Sequence, residues 1–147
     1  MMDNNLTITF TVDQSPAEVF SAINSVSKWW TENIQGASAK LNDEFSVQFK
    51  DVHYTKQKLV TVVPDKKVEW LVTESKLTFI KNVQEWKGTT VVFDISKTGD
   101  KTTLLFTHIG LTPEVECYKD CQKGWTYFID SLHKLIETGT GVPDKKD

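Results

Sequence analysis

Residues 112–139 read TPEVECYKDCQKGWTYFIDSLHKLIETG, and this stretch decides the fold. Thr112 suits a helix cap, with Pro113 at the first helical position and Glu114 beside the positive end of the helix dipole. Beyond them Tyr118, Cys121, Trp125, Phe128, Leu132 and Leu135 recur three and four residues apart. That spacing makes one wide apolar stripe along a long amphipathic helix. Gly139 predicts a left-handed cap, and Pro143 forbids the helix to resume.

Immediately upstream, Gly99-Asp100 fits a two-residue hairpin loop. It joins a strand carrying Val91, Phe93 and Ile95 to a partner running from Thr102 to about Ile109. The loop fixes the register: Ile95 faces Leu104, Phe93 faces Phe106, and Val91 faces His108. Further back, Val68, Trp70 and Val72 alternate after a turn at Val63-Pro64-Asp65-Lys66. Residues 53–63 form a longer extended run, and Phe45, Val47 and Phe49 alternate before it. The chain opens on a half-buried strand, Leu6, Ile8, Phe10 and Val12. Ser15-Pro16-Ala17-Glu18 then forms a capping box for a short helix, and Ser27-Lys28-Trp29-Trp30 carries a second helical turn. This order predicts an α+β fold. One helix is too narrow to cover six or seven strands, so the antiparallel sheet must curl around it and is expected to leave a cavity. With no repeat, low-complexity segment or linker, residues 1–147 read as one domain whose tail from about residue 140 is mobile.

Composition narrows the function. The 147 residues are 39% hydrophobic and 25% charged, which is globular rather than disordered. The net charge is −3, and all 17 basic residues are lysine. Without arginine, bidentate recognition of phosphate, carboxylate or guanine loses its usual agent, and no nucleic-acid partner is expected. The start, Met1-Met2-Asp3-Asn4-Asn5, has neither basic nor apolar targeting character, and no apolar run reaches the roughly 18 residues of a membrane span. A cytoplasmic setting without membrane insertion follows. In it Cys117 and Cys121, four apart on one helix face, are expected to be reduced and inert, with a redox-sensing pair as the alternative.

Several short motifs, collinear along nearly the whole chain, carry a resemblance. They are Trp29-Trp30-Thr31, Asp43-Glu44-Phe45, Asp51-Val52-His53, Glu69-Trp70, Glu85-Trp86-Lys87-Gly88-Thr89 and Thr107-His108-Ile109-Gly110-Leu111. Glu116-Cys117-Tyr118, Cys121-Gln122-Lys123-Gly124-Trp125 and Gly139-Thr140-Gly141-Val142-Pro143 complete the set. Together they resemble the START-like (SRPBCC, helix-grip) superfamily, in the branch of homologues of the activator of the heat-shock-protein-90 ATPase. The resemblance implies a curved sheet wrapped around the final helix, with two short helices after the first strand. It implies no single activity, because the superfamily spans lipid carriers, polyketide cyclases and hormone receptors. The chaperone activator carries a further N-terminal domain that this chain is too short to supply, so chaperone activation is not expected.

Chemistry-bearing residues are few. His108, on an apolar strand face, is either a core histidine satisfied by a neighbour or a polar contact for a ligand. His53 reads as a rim residue, and His133 as solvent-facing. Three scattered histidines make no metal site, and no cofactor, nucleophile-elbow or phosphate-loop motif is present. Trp70 and Trp125 fall on core-facing positions, while Trp86 sits where a loop can close a cavity mouth. Only one of Trp29 and Trp30 is expected to point fully inward. Gly124 in mid-helix costs about 1 kcal/mol relative to alanine; close packing or space for a ligand would justify it. The expectation is a non-enzymatic module binding a small apolar, aromatic or lipid-like molecule. Trp70, Phe93, Phe106, His108, Trp125 and Phe128 would line its cavity. The alternatives are a cyclase- or hydratase-type enzyme using His108 as acid or base, and a co-chaperone-like domain with a protein partner. The oligomeric state is not legible.

Overall fold

The computed structural model describes residues 5–145. Met1, Met2, Asp3 and Asn4, read above for targeting signals, lie outside them, as do Lys146 and Asp147 of the tail. Strand β1 (Leu6–Val12) leads into α1 (Pro16–Asn24), whose predicted capping box forms in full. The Ser15 hydroxyl accepts from Glu18 N–H at 3.2 Å, and Ser15 N–H donates back to the Glu18 carboxylate at 3.3 Å. A single helical turn, α2 (Val26–Trp29), precedes the short strand β2 (Ile34–Gly36). Then come β3 (Glu44–Phe49), β4 (His53–Val63), β5 (Lys67–Leu77), β6 (Thr90–Thr98) and β7 (Lys101–Ile109), before the long α3 (Tyr118–Thr138). All neighbouring strands are antiparallel, in the order β1-β7-β6-β5-β4-β3-β2. This is the helix-grip arrangement: a seven-stranded open sheet around one helix.

The β6–β7 register is the expected one, with Ile95 opposite Leu104, Phe93 opposite Phe106 and Val91 opposite His108. Two register shifts between β4 and β5, at Lys56/Gln57 and Leu59/Thr61, help bend the sheet. On its concave side α3 buries Cys121, Trp125, Ile129, Leu132 and Ile136, with Phe128 and Leu135 half-buried on the flanks. Gly139, at φ 85°, caps the helix and donates its N–H to the Leu135 carbonyl at 2.9 Å.

The start of α3 differs from expectation. Residues 112–117 form turns, and the helix begins only at Tyr118. The cause lies in two carboxylates. Glu85 accepts the N–H groups of Glu116 and Cys117 at 2.8 and 2.9 Å, and Glu116 in turn accepts those of Lys81 and Asn82. These bonds tie the segment to the β5–β6 loop instead of letting it wind.

Both Trp29 and Trp30 are buried, against the expectation of one. Trp30 caps the helical turn, its N–H donating to the Val26 carbonyl at 2.8 Å; the two rings stack at 6.1 Å, and both reach Trp70. His133 does not project freely into solvent: its ring lies flat on Phe10, 4.2 Å away. The segment after Gly139 runs beside Thr31, with which Asp144 forms a bridge. Val142 N–H donates to the Ser131 hydroxyl at 2.7 Å, and Asp144 N–H donates to the Trp30 carbonyl at 2.9 Å. Gly141 is required there, because a Cβ would collide with the Lys28 carbonyl.

The buried face of α3 carries much of the core. Leu132→Ala is therefore expected to destabilise by about 2–5 kcal/mol. Lys134→Ala loses only the exposed ion pair with Asp130 and should stay within about 0.5 kcal/mol of neutral. Equal shifts in a denaturant titration of the two variants would mean that the helix face is misassigned.

Candidate functional site

The β3–β4 hairpin, the β5–β6 loop and the segment after β7 gather at one end of the sheet, beside the first turns of α3. Between them lies a recess of about 190 Å³, open at its mouth. Helix α3 supplies Asp120, Cys121, Gly124, Trp125 and Phe128; the opposite wall is Trp30, Phe49, His53, Phe79 and Trp86. A wider groove of about 650 Å³ runs past β2, but its walls include exposed, mixed-charge residues such as Glu32, Gln35, Lys50 and Asp51. Of these two, the first recess has the apolar lining with few polar groups converging on it, which is the character of a small-molecule site.

Of the residues expected to line a cavity, Trp125 and Phe128 face this recess. Trp70, Phe93, Phe106 and His108 lie behind it, fully buried. Their rings pack on one another: Trp70 against Phe93 at 4.9 Å, Phe93 against Phe106 at 5.5 Å, and Phe106 against Trp125 at 4.7 Å. Trp30 stacks on Trp70 at 5.7 Å and packs against Trp125 at 5.0 Å. The middle of the sheet is thus filled by rings, and the recess lies at its end.

His108 organises the back wall. The Trp125 indole Nε1–H, which can only donate, gives its proton to His108 Nδ1 at 3.0 Å. Nδ1 is therefore the bare nitrogen, and the network assigns the imidazole proton to Nε2. From there it is donated to the Thr89 hydroxyl at 2.8 Å, and that hydroxyl donates to the Trp86 carbonyl at 2.6 Å. Both ring nitrogens are satisfied within the protein. Burial, reinforced by the nearby His53, pushes the His108 pKa down to about 3.

His53 lies on the recess wall, with its Nε2 at 3.2 Å from the Thr55 hydroxyl. Its Nδ1 has no protein partner among the described residues. Although part of its surface meets the recess, its ring is enclosed by Phe49 at 4.9 Å, Trp86 at 5.0 Å and Trp30 at 6.4 Å. Desolvation by these rings lowers its pKa to about 3. The two histidines do not touch. They stand on either side of Trp86, each ring at nearly a right angle to it, and Trp86 lies parallel to Trp125 at 5.7 Å.

Cys117 and Cys121 are joined by a disulfide, with Cys121 on the recess wall and Cys117 buried behind it, which corrects the expectation of two reduced, inert thiols. Cys117 is the helix cap rather than an interior helical residue, and the Cα atoms stand 5.6 Å apart, within bridging range. Cys121 also receives the Trp86 indole N–H at 3.3 Å. Among the described residues, no cluster of three or more His, Cys, Asp or Glu side chains is placed to hold a metal, and no helix is long and apolar enough to cross a membrane.

Phe49 was the lining residue hardest to foresee. Its alternation with Phe45 and Val47 places it in the sheet, but as the last residue of β3 it turns its ring into the recess. Its signal was position: it closes an inward-facing series at the same hairpin where His53 opens the next.

The histidines give the site a pH signature. In the unfolded chain each takes up a proton near its ordinary pKa of 6.5, whereas in the folded chain each stays neutral down to about pH 3. Between those values the unfolded state binds more protons, so stability is lost as the pH falls. From pH 6.5 to about 4.5, before carboxylates contribute strongly, each histidine should add a slope approaching 1.4 kcal/mol per pH unit. His53→Gln should roughly halve that slope in urea titrations run across this range. An unchanged slope would show that folded His53 titrates near its ordinary value.

With this geometry in view, likeness to known proteins places the chain. No curated protein matches it in sequence. The Aha1 dimer from Colwellia psychrerythraea, solved in solution, superposes with a TM-score of 0.75 at 23% identity, over 93% of this chain and 98% of that one. DynU16, described as a putative protein in the dynemicin biosynthetic locus, gives 0.69 at 18% identity, over 99% of this chain but only 52% of that one. CalU16 from Micromonospora echinospora gives 0.64 at 18% identity, over 92% of this chain and 77% of that one. Likeness at these identities shows a shared fold. A family model adds the sequence evidence: residues 13–137 match it, and the chain belongs to the family of Activator of Hsp90 ATPase homolog 1-like proteins.

Proposed function

We propose that this chain is a binding module for a small, uncharged aromatic or apolar molecule seated in the recess between α3 and the Trp86 end of the sheet. The observation that carries this reading is Gly124. It lies inside a 21-residue helix, needs no left-handed backbone, and has nothing within 4 Å of where a Cβ would stand. Neither strain nor close packing calls for glycine there, yet glycine in a helix interior costs about 1 kcal/mol. What it does supply is open volume on the recess wall.

Size and charge refine the guest. An apolar cavity of about 150 Å³ holds benzene, so about 190 Å³ suits one or two rings. A lipid chain would have to leave through the mouth, past the exposed Phe79. No lysine lines the recess, and Asp120 places a carboxylate on its wall, so anionic guests are disfavoured. The fitting polar contact is neutral His53, whose Nδ1 faces no protein partner. This transfers to His53 the orienting role that the sequence suggested for His108. The cyclase-type alternative loses support for the same reason: protonating His108 Nδ1 would set two donors, imidazole and indole, against each other.

The test is a tryptophan-fluorescence titration of matched pairs such as 2-naphthol and 2-naphthoate. The uncharged member should saturate and the acid bind more weakly. Gly124→Ala should raise stability by about 0.5–1 kcal/mol, and Gly124→Leu should fold yet abolish binding by filling the recess. His53→Phe should weaken hydroxyl-bearing guests by about 1–2 kcal/mol while sparing hydrocarbons. A stable Gly124→Leu variant that still binds would place the site elsewhere. No saturable binding of any member would leave the protein-interaction reading in front.

A further inference from the structure

We infer that Cys121 is a site of reversible thiol–disulfide exchange with small thiols that enter through the recess. This does not depend on the ligand reading above, and its test involves no ligand. The two sulfurs of the bridge differ in access: Cys121 lines the recess, whereas Cys117 is fully buried. Attack on a disulfide needs a thiolate to reach one sulfur, so access selects which one is attacked. The incoming thiolate bonds to Cys121 Sγ, the Cys117–Cys121 bond breaks, and Cys117 leaves with the electron pair and takes the proton of the incoming thiol. The product is a mixed disulfide on Cys121 and a free thiol on Cys117. The Glu85 carboxylate, bonded to Cys117 N–H, disfavours a lasting thiolate at Cys117 and so favours that protonation.

A second equivalent of thiol, its proton lost to water, attacks the first thiol's sulfur in the adduct, releasing the small disulfide and Cys121 as a thiolate. That thiolate has a donor waiting, since the Trp86 indole N–H already points at Cys121 Sγ. Two electrons thus pass from two small thiols to the cysteine pair. Re-oxidation by a small disulfide runs the same steps backwards. It needs little rearrangement, because Cys121 N–H donates to the Cys117 carbonyl at 2.7 Å and holds the turn without the bridge.

The recess also selects the thiol. At about 190 Å³ it excludes protein thiols, and Asp120 beside Cys121 repels anionic ones. Oxidised protein exposed to cysteamine or to mercaptoethanesulfonate, quenched with acid and peptide-mapped, should carry the adduct on Cys121. Rates normalised to a disulfide model peptide should favour cysteamine several-fold, and Asp120→Asn should remove that preference. Gly124→Leu should slow exchange by about tenfold or more, by closing the approach. Adducts on Cys117, or exchange at an unchanged rate in Gly124→Leu, would overturn the inference. So would reduced protein that keeps two free thiols at equilibrium with excess cystamine.

Discussion

The His108 imidazole, fully buried, links three parts of the chain through hydrogen bonds to its two ring nitrogens. It belongs to β7, it receives the indole proton of Trp125 on α3, and through Thr89 it reaches the Trp86 carbonyl in the β5–β6 loop. An imidazole taken out of water without partners would cost several times what a satisfied one does. Each partner is therefore required, and each fixes the orientation of the next. The parallel stacking of Trp86 on Trp125 follows, and with it the back wall of the recess.

That wall would mean little if the loop carrying Trp86 were free to move. Glu85 and Glu116 hold it through reciprocal bonds to the backbone N–H groups of each other's segment. The Lys81 and Asn82 N–H donors lower the Glu116 carboxyl pKa, favouring the charged acceptor form. Val83 adds its carbonyl to the Leu77 N–H and the Ser75 hydroxyl, closing the base of the loop onto β5. The recess is thus built in advance of any guest, and a guest pays little ordering entropy to enter it.

Much of this architecture was legible in the chain. The β6–β7 register could be read because Gly99 adopts φ 64° in a two-residue loop, which leaves only one alignment of the alternating residues on either side. The end of α3 was equally plain at Gly139. The beginning was not, because the carboxylates that unwind residues 112–117 act across 30 residues or more of sequence. The same limit applies to the site. Alternation shows that Trp70, Phe93 and Phe106 point inward, but whether they border open space depends on the summed volume of every ring that joins them. Trp30 decided that question by stacking on Trp70 and packing against Trp125, ring contacts no periodicity encodes.

The filled centre and the open end have one cause. A sheet curled around a single helix encloses a fixed volume, and here Trp29, Trp30, Trp70, Phe45, Phe93 and Phe106 occupy its middle. Aromatic rings meet edge to face or offset, and here their contacts run unbroken from Phe45 through Trp70 and Phe93 to Phe106. At the end of the sheet this run stops, since the helix offers Gly124 where the pattern would place another side chain. The sequence therefore sets the scale of the recess twice: by the large residues that fill most of the interior, and by one small residue that leaves the remainder open.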